Sequence, residues 1–286
     1  MAHTTTSPLQ LFQSLWGFAG DLNQAIERAS GSGFDGLELN LNHAAIAELP
    51  SQQVQQQLQK AGLKLIVEIV SGGDYVPDLT LTWQGHLAEL DQQLSQAEAL
   101  RPQRITLIAG SDSWHAETQD RFLEALLDRL ETCSCPVSLE THRSRSLFNP
   151  WAIAAQLSRH PRLRLTADIS HWCAVSERLF TPELEPIEAI ADHVDHIHAR
   201  VGHAQGPSVS HPFAPEWAEA LDAHRRCWQL FDQRQRARGH GATSITPEFG
   251  PDGYLPCLPF TAMPVSELDA INTAMAHWLR HGALDR

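Results

Sequence analysis

The sequence has few cysteines and no long hydrophobic run. Its five cysteines are an odd number, and Cys133 and Cys135 are separated by one residue, which is not zinc-finger spacing. No stretch approaches the roughly 18 uninterrupted apolar residues of a transmembrane helix. The first residues, MAHTTTSPLQLFQ, lack the basic start and apolar core of a secretory signal. We therefore expect reduced thiols and a soluble, cytoplasmic protein with no membrane partner.

Positive charge is also scarce. The chain has 21 Lys and Arg residues against 34 Asp and Glu residues, a formal net charge of −13. Such a chain repels phosphate backbones unless a local basic patch overrides the repulsion. The nearest candidate, DQRQRARGHG from Asp232 to Gly241, has no interleaved aromatic residues and follows a helix-like segment. It is typical of a helix end whose arginines suit the negative pole, so we expect no nucleic-acid partner.

Linkers and low-complexity segments are absent as well. The 286 residues, 42% of them hydrophobic, are enough for one large α/β barrel or for two ordinary domains. No Pro-, Gly- or Ser-rich stretch and no charge block divides them. The sequence therefore predicts a single domain over residues 1–286.

What the sequence does contain is an alternation of β-rich and helix-like segments. Short apolar runs begin at Leu9, Gly36, Leu63, Arg104, Pro136, Leu163, Val194 and Thr243. Between and after them lie segments with apolar residues three and four positions apart, as in amphipathic helices. Eight strand-then-helix units predict the α/β class and a (β/α)8 TIM barrel. An open doubly wound sheet is the alternative, but no Gly-x-Gly-x-x-Gly motif opens the first helix.

Helix signals accompany this pattern. In the segment SQQVQQQLQKAG, Ser51 is predicted to be an N-cap and Gly62 a C-cap.

Acidic and imidazole side chains occur at the ends of the last four predicted strands. The fifth strand ends at Glu140, the sixth at Asp168 and the eighth at Glu248, and the seventh contains His198. The strand ends of such a barrel point into one shared mouth. Three crowded carboxylates repel one another unless a cation compensates them. Three oxygen donors and one imidazole suit one divalent ion, Mn²⁺, Mg²⁺, Co²⁺ or Zn²⁺.

Each of these four residues also has a simpler interpretation. Glu140 alone could be a cap or a salt-bridge partner, and Asp168 could cap the next turn. His198 is one of 16 histidines, and Glu248 lies among turn residues. The metal hypothesis depends on all four falling at corresponding places in successive units.

Three further residues are candidates for holding a substrate. His171 follows Asp168 by three residues, on the predicted loop above the sixth strand, and could also be a surface histidine. Arg200 and His142 share strand parity with His198 and Glu140 respectively, so they should face the same mouth. Arg200 could equally form a strand-end salt bridge. Weaker candidates near strand ends are Glu38, Glu68, Trp16, Trp114, Trp172 and Trp217.

Four segments together resemble a known superfamily. They are SLETHRSR, TADISHW, HIHARVGHAQGPSV and TPEFGPDGY, and they are similar to the xylose isomerase-like TIM barrels. That superfamily holds sugar isomerases, ketose epimerases, inosose-processing enzymes and type IV apurinic endonucleases. The order of elements covers essentially the whole chain, whereas the specific motifs lie in its second half.

The resemblance assigns roles to the candidate residues. Glu140, Asp168, His198 and Glu248 match the metal ligands of the epimerase branch. His171 matches the histidine of its Asp-x-x-His motif, and Arg200 resembles a substrate-holding residue. The endonuclease branch needs additional histidines on strands three and four and an Asp-x-His pair after strand seven. VEIVSGGDY, LIAGSDSW and VGHAQG lack them.

The resemblance implies a metal-dependent sugar or cyclitol isomerase or epimerase. Its substrate would be a small polyhydroxy carbonyl compound, and Glu140 and Glu248 would transfer a proton through an enediolate. Two alternatives stay open: a keto-sugar or inosose dehydratase or lyase, and a non-catalytic barrel that binds a sugar and keeps its metal as a fold element. Assembly into a homo-oligomer is also left open.

Overall fold

The computed structural model describes residues 9–285, and their strands form a closed parallel barrel. In the closed ring each strand pairs with its neighbours in chain order, and the last pairs with the first. The predicted barrel is therefore confirmed and the open sheet is excluded. The strands are β1 Leu9–Ser14, β2 Gly36–Asn40, β3 Lys64–Val70, β4 Arg104–Ile108, β5 Val137–Glu140, β6 Leu165–Ala167, β7 Val194–His198 and β8 Thr243–Thr246.

Helices surround the barrel. Those found in residues 9–285 are α1 Leu22–Gly31, α2 Ser51–Ala61, α3 Trp83–Ala99, α4 Ala116–Leu130, α5 Pro150–Arg159, α6 Ile169–Ser176, α7 Glu185–Ala191, α8 Ala218–Ala237 and α9 Leu268–Trp278. Short 3₁₀ turns occupy Pro215–Trp217 and Asp252–Tyr254. None of the helices in this part of the chain is both long and apolar enough to cross a membrane.

The two predicted caps of α2 have different outcomes. Gly62 is the C-cap in the left-handed conformation, with φ of 71°, as the sequence predicts. Ser51 is wrong as the N-cap, because Pro50 occupies that position and no side chain caps the helix. The backbone N–H groups of Gln53 and Val54 already donate to the Pro50 carbonyl, so the helix begins one residue early.

Two strands end sooner than the sequence predicts. β6 ends at Ala167 and β8 at Thr246, so Asp168 and Glu248 lie just beyond the strands. Asp168 instead begins a helix, because its carboxylate accepts a hydrogen bond of 2.9 Å from the Ser170 backbone N–H. The extra helix α6 makes two helices between β6 and β7. The sequence does not predict α6, because its residues from Ile169 to Cys173 are all buried and therefore show no amphipathic pattern.

Apolar side chains fill the space between barrel and helices, whereas hydrogen-bonded polar groups occupy the barrel interior. Leu37 of β2 and Ile197 of β7 belong to the outer core. Inside, the Thr106 hydroxyl donates to Glu38 over 2.9 Å, and His196 contacts the same carboxylate over 3.0 Å. The two-residue period of a strand separates these faces.

His224 of α8 fixes the loop that follows β7. Its Nε2 accepts a 3.1 Å hydrogen bond from the Gly202 N–H, and its Nδ1 donates to the Ala220 carbonyl over 2.8 Å. Gly202 packs directly on α6, where a Cβ atom would lie 2.8 Å from the Ser170 backbone. Burial lowers the pKa of His224 to about 4, and the accepting nitrogen requires the neutral ring.

We expect His224 to make the fold acid-sensitive. Below an unfolded-state pKa of 6.5 the unfolded chain takes up a proton that the folded chain refuses until about pH 4. Stability is therefore present above pH 6.5 and is lost as the pH falls towards 4. Between pH 7 and 5 the wild type should lose about 2 kcal/mol more unfolding free energy than His224→Gln, whose amide oxygen keeps the acceptor.

Denaturant unfolding in the presence of a chelator measures this difference. Equal pH dependence in both proteins would show that His224 is not held neutral.

Candidate active site

A cavity of about 400 Å³ opens at the carboxyl ends of the strands. Five of the seven predicted site residues line it: Glu140, His142, His171, Arg200 and Glu248. The other two, Asp168 and His198, are fully buried beside them. The structure thus brings together all seven residues, which come from four different units of the barrel.

Glu140, Asp168, His198 and Glu248 form a compact quartet. One potential ligand atom from each lies within 4.8 Å of the others. The Nδ1 atom of His198 is 3.6 Å from Glu140 Oε2 and 3.0 Å from Glu248 Oε2. Ligands of one divalent ion, each about 2.0–2.3 Å from it, have this mutual spacing.

Unsatisfied atoms in the quartet support a cation site. Glu140 Oε2 and His198 Nδ1 are buried and have no hydrogen-bond partner among the described residues, because the 3.0 Å contact between His198 Nδ1 and Glu248 Oε2 lacks the angles of a hydrogen bond. Orphaned buried polar atoms are costly, and here two of them face the same point. The donor set of carboxylates and imidazole also fits Mn²⁺, Mg²⁺, Co²⁺ or Zn²⁺. The residues present therefore fit a divalent metal ion.

Glu38 orients the histidine of the quartet. Its Oε1 lies 3.1 Å from His198 Nε2, which leaves Nδ1 to face the three carboxylates. A carboxylate behind a histidine is the usual support for a metal-ligating imidazole. Burial raises the pKa of Glu38, but His198 and His196 lower it well below its ordinary value, so Glu38 is ionised.

The sequence identified Glu38 only as a weak candidate for the mouth. Its place on β2 and its parity were visible, but its pairing with β7 across the barrel was not.

Asp168 has three roles at once. One carboxylate oxygen caps α6 through Ser170, and the other contacts the Arg200 guanidinium. The capping interpretation of Asp168 and the salt-bridge interpretation of Arg200 therefore coexist with the place of Asp168 in the quartet. Arg200 contacts Asp168 most closely and Glu248 less closely, its Nη1 lying 3.7 Å from Glu248 Oε2, whereas the nearest cationic group to Glu140 is His198.

Protonation of the quartet is strongly perturbed. Burial alone would lower the pKa of His198, but Glu248, Glu38 and Glu140 together raise it well above its usual value. Burial raises the pKa of Glu140 to about 7, with Glu248 and Asp168 adding to the effect and His198 opposing it. Groups that titrate near neutrality in a cavity are suited to proton transfer.

Two neutral histidines form one wall of the cavity. The rings of His142 and His171 lie 4.0 Å apart, and His171 Nε2 is 2.9 Å from the Arg200 guanidinium. Burial lowers the pKa of His142 to about 3 and that of His171 well below its usual value. The predicted loop position of His171 is wrong, because Asp168 starts α6 and places His171 on its first turn.

The remaining weaker candidates divide into two groups. Glu68 and Trp16 line the cavity, whereas Trp114, Trp172 and Trp217 do not. Burial raises the pKa of Glu68 to about 8, and Glu140 and Glu248 add to that rise. Trp16 packs against Tyr254, with ring centroids 4.8 Å apart. These two residues extend the site beyond the quartet.

A family model described as xylose isomerase-like TIM barrel matches residues 26–225, more than half of the chain. No curated protein matches the sequence significantly.

Solved structures share the fold over nearly the full length. A probable 3-DHS dehydratase from Bacillus anthracis has 16% identity and a TM-score of 0.61, covering 94% of this chain and 98% of its own. A D-allulose 3-epimerase from Methylomonas sp. in complex with D-allulose has 14% identity and a TM-score of 0.60, covering 96% and 97%. The IOLI protein with a zinc atom has 13% identity and a TM-score of 0.67, covering 96% and 98%. At these identities the likeness shows the fold alone.

Two histidines on β7 offer a matched test of the quartet. His198 belongs to it, whereas His196 contacts Glu38 and Ser244 deeper in the barrel. In chelator-stripped protein, His198→Gln should weaken Mn²⁺ binding by at least about 100-fold, because an imidazole ligand is lost. His196→Gln keeps an N–H donor towards Glu38 and should stay within about threefold of the wild type.

Isothermal titration with Mn²⁺ measures both affinities. Unchanged binding in His198→Gln, or equal loss in both variants, would argue for other ligands.

Proposed function

We propose that this chain, which belongs to the xylose isomerase-like TIM-barrel family, is a divalent-metal-dependent sugar or cyclitol isomerase or epimerase. It would move a proton on the carbon next to a carbonyl group. The observation that carries the proposal is the buried quartet, whose four donor atoms converge while two of them have no partner among the described residues.

The quartet would supply the metal ligands: Glu140, Asp168, His198 and Glu248. A divalent ion held by them would polarise the substrate carbonyl and stabilise the negative charge of an enediolate. The structure provides the negative charge such an ion requires, and Glu38 holds the imidazole with Nδ1 towards it. Mn²⁺, Mg²⁺, Co²⁺ and Zn²⁺ all suit these donors.

Glu140 and Glu248 would carry the proton. They come from β5 and from the loop after β8, so they approach the cavity from different sides of the mouth. One would remove a proton from one face of the carbon and the other, in its protonated form, would deliver a proton to the opposite face, which inverts the centre. Delivery to the neighbouring carbon, with transfer of the hydroxyl proton to the former carbonyl oxygen, would instead shift the carbonyl. Burial raises the pKa of Glu140, which favours uptake of a proton by the oxygen that does not face the metal.

His142, His171 and Arg200 would hold substrate oxygens. The two imidazoles are neutral, and their partners fix which nitrogen carries the proton. His142 Nδ1 donates to the Arg143 carbonyl, so its Nε2 can accept, whereas His171 Nε2 accepts from Arg200, so its Nδ1 can donate. Arg200 is fixed between Asp168 and the Tyr254 ring, whose centroid is 4.7 Å from the guanidinium carbon. Such a rigid donor can fix one oxygen of the substrate without losing much conformational freedom.

A cytoplasmic location is part of the same proposal. All five cysteines are free thiols, which suits the reducing cytoplasm.

Hydrogen exchange into the substrate tests the proton-transfer step. In deuterated water with Mn²⁺, the wild type should incorporate deuterium next to the carbonyl of a ketose or keto-inositol, as seen by proton NMR. Glu140→Gln and Glu248→Gln should each lower the exchange rate by at least about 100-fold, because the base is lost while an oxygen ligand remains.

The control is Glu124→Gln, which changes an exposed acid on α4 and should exchange like the wild type. Bound metal is measured in every variant. Unchanged exchange in both site variants would defeat the assignment.

A dehydratase or lyase is the second candidate. The observation that favours it is Glu68, whose pKa of about 8 makes it a proton donor at neutral pH inside the same cavity. A protonated carboxyl could assist departure of a hydroxyl group β to the carbonyl.

Mass spectrometry of the products separates the two reactions. An isomerase or epimerase should give products of unchanged mass, whereas elimination should give an unsaturated ketone lighter by one water. Since Glu140 and Glu248 supply both a base and its counterpart acid, we expect products of unchanged mass. A dominant dehydrated product would establish the lyase instead.

A further inference from the structure

Glu68 lies on the side of the cavity opposite the cationic residue Arg200. β3, which carries Glu68, is four strands from β7 in the ring of eight, and Arg200 follows β7. The Glu68 side chain lines the cavity but has no role in the quartet.

Asn40 fixes the orientation of this carboxyl group. The Asn40 amide donates to Glu68 Oε1 over 3.0 Å, and its own oxygen accepts from the Asn42 backbone N–H over 2.9 Å. The two residues are also register partners on β2 and β3. No hydrogen bond from the described residues reaches Glu68 Oε2. One oxygen is therefore held in place, and the other is available to a ligand.

The surroundings of Glu68 are strongly acidic. Arg200 is the one guanidinium or ammonium group among the described residues that line the cavity, and it contacts Asp168. Six carboxyl groups lie in the cavity or directly beside it: Glu38, Glu68, Asp74, Glu140, Asp168 and Glu248. His196 and His198 hydrogen-bond Glu38, and a divalent ion and Arg200 together carry three positive charges for the other five carboxyl groups.

An anionic substituent near Glu68 would therefore meet repulsion without a compensating donor. Phosphate and carboxylate groups are normally bound by Arg, Lys or clustered backbone N–H groups. The nearest glycine loop cannot supply such a cluster, because the Gly72 N–H already donates to Glu89 and Asp74 stands at the rim. A sugar hydroxyl, in contrast, can donate to Glu68 and accept from its protonated form.

We infer that Glu68, oriented by Asn40, is a specificity-determining residue that binds a hydroxyl of the substrate and rejects phosphorylated or carboxylated substrates. The substrate class is then an uncharged polyhydroxy ketone. This inference rests on the proposed function for the identity of the reacting end, but it concerns the opposite end of the cavity. Trp16 and Tyr75, whose rings are 5.6 Å apart beside Glu68, provide apolar surface for the sugar carbons.

Matched pairs of ligands test the inference. The Mn²⁺-loaded protein is titrated calorimetrically with D-fructose and D-fructose 6-phosphate, and with a keto-inositol and its phosphate ester. The wild type should bind each uncharged compound at least about 10-fold more tightly than its ester. The titrations are run at pH 8.5, above the pKa of about 8 that burial gives Glu68, so that most of this carboxyl group is ionised. Glu68→Gln then removes the charge and keeps the shape, and it should reduce that ratio by at least about threefold.

The control is Asp112→Asn, which removes an exposed acid from the loop after β4 on the same face but outside the cavity. It should keep the wild-type ratio. Thermal unfolding of each variant checks the fold.

The outcomes separate this inference from the proposed function. Preferred binding of the uncharged compounds without deuterium exchange would support the role of Glu68 and defeat the enzyme proposal. Esters that bind as tightly as their parents would overturn the inference even if exchange occurs. A ratio that is unchanged in Glu68→Gln would also overturn it, and so would failure of every uncharged compound to bind.

Discussion

The crowding of carboxylates at the mouth of the barrel is the constraint on which the rest of the site depends. Glu38 is compensated by His196 and His198, and Asp168 by Arg200 and its cap on α6. Glu140 has no comparable partner, and one of its oxygens is orphaned. Side chains of the protein thus neutralise some of these acids, whereas the negative charge around Glu140 stays uncompensated. This uncompensated negative charge is the physical reason to expect a cation at that point.

The barrel interior shows what this arrangement requires. Large branched apolar side chains usually fill the centre of such a barrel. Here Glu38, Thr106 and His196 occupy it and hydrogen-bond across strands that are not neighbours. Phe12 shares the interior, its ring centroid 6.2 Å from that of His196, but most apolar burial lies in the layer between strands and helices. A buried polar network of this kind favours one arrangement of its members, because any displacement leaves a charge or a donor unpaired.

Much of the fold and part of the site could be predicted from the sequence, for physical reasons. The two-residue period of strands and the parallel barrel place Glu140 and His198 at one mouth, so their proximity followed from parity. The support of His198 by Glu38 could not be predicted, because β2 and β7 meet only across the closed barrel. Helix α6 was missed for a local reason: its first turn is buried on every side, so periodicity gives no signal, and capping by Asp168 decides the outcome.

The shared use of Asp168 has a mechanical consequence. Carboxylate ligands in many metal sites swing between one-oxygen and two-oxygen binding as the substrate arrives. Here Ser170 holds Oδ1 and Arg200 holds Oδ2, so such a swing would unwind the start of α6 and displace His171 with it. In the proposed metal site Asp168 would consequently be a fixed anchor, and adjustment of the coordination sphere would fall to Glu140 and Glu248.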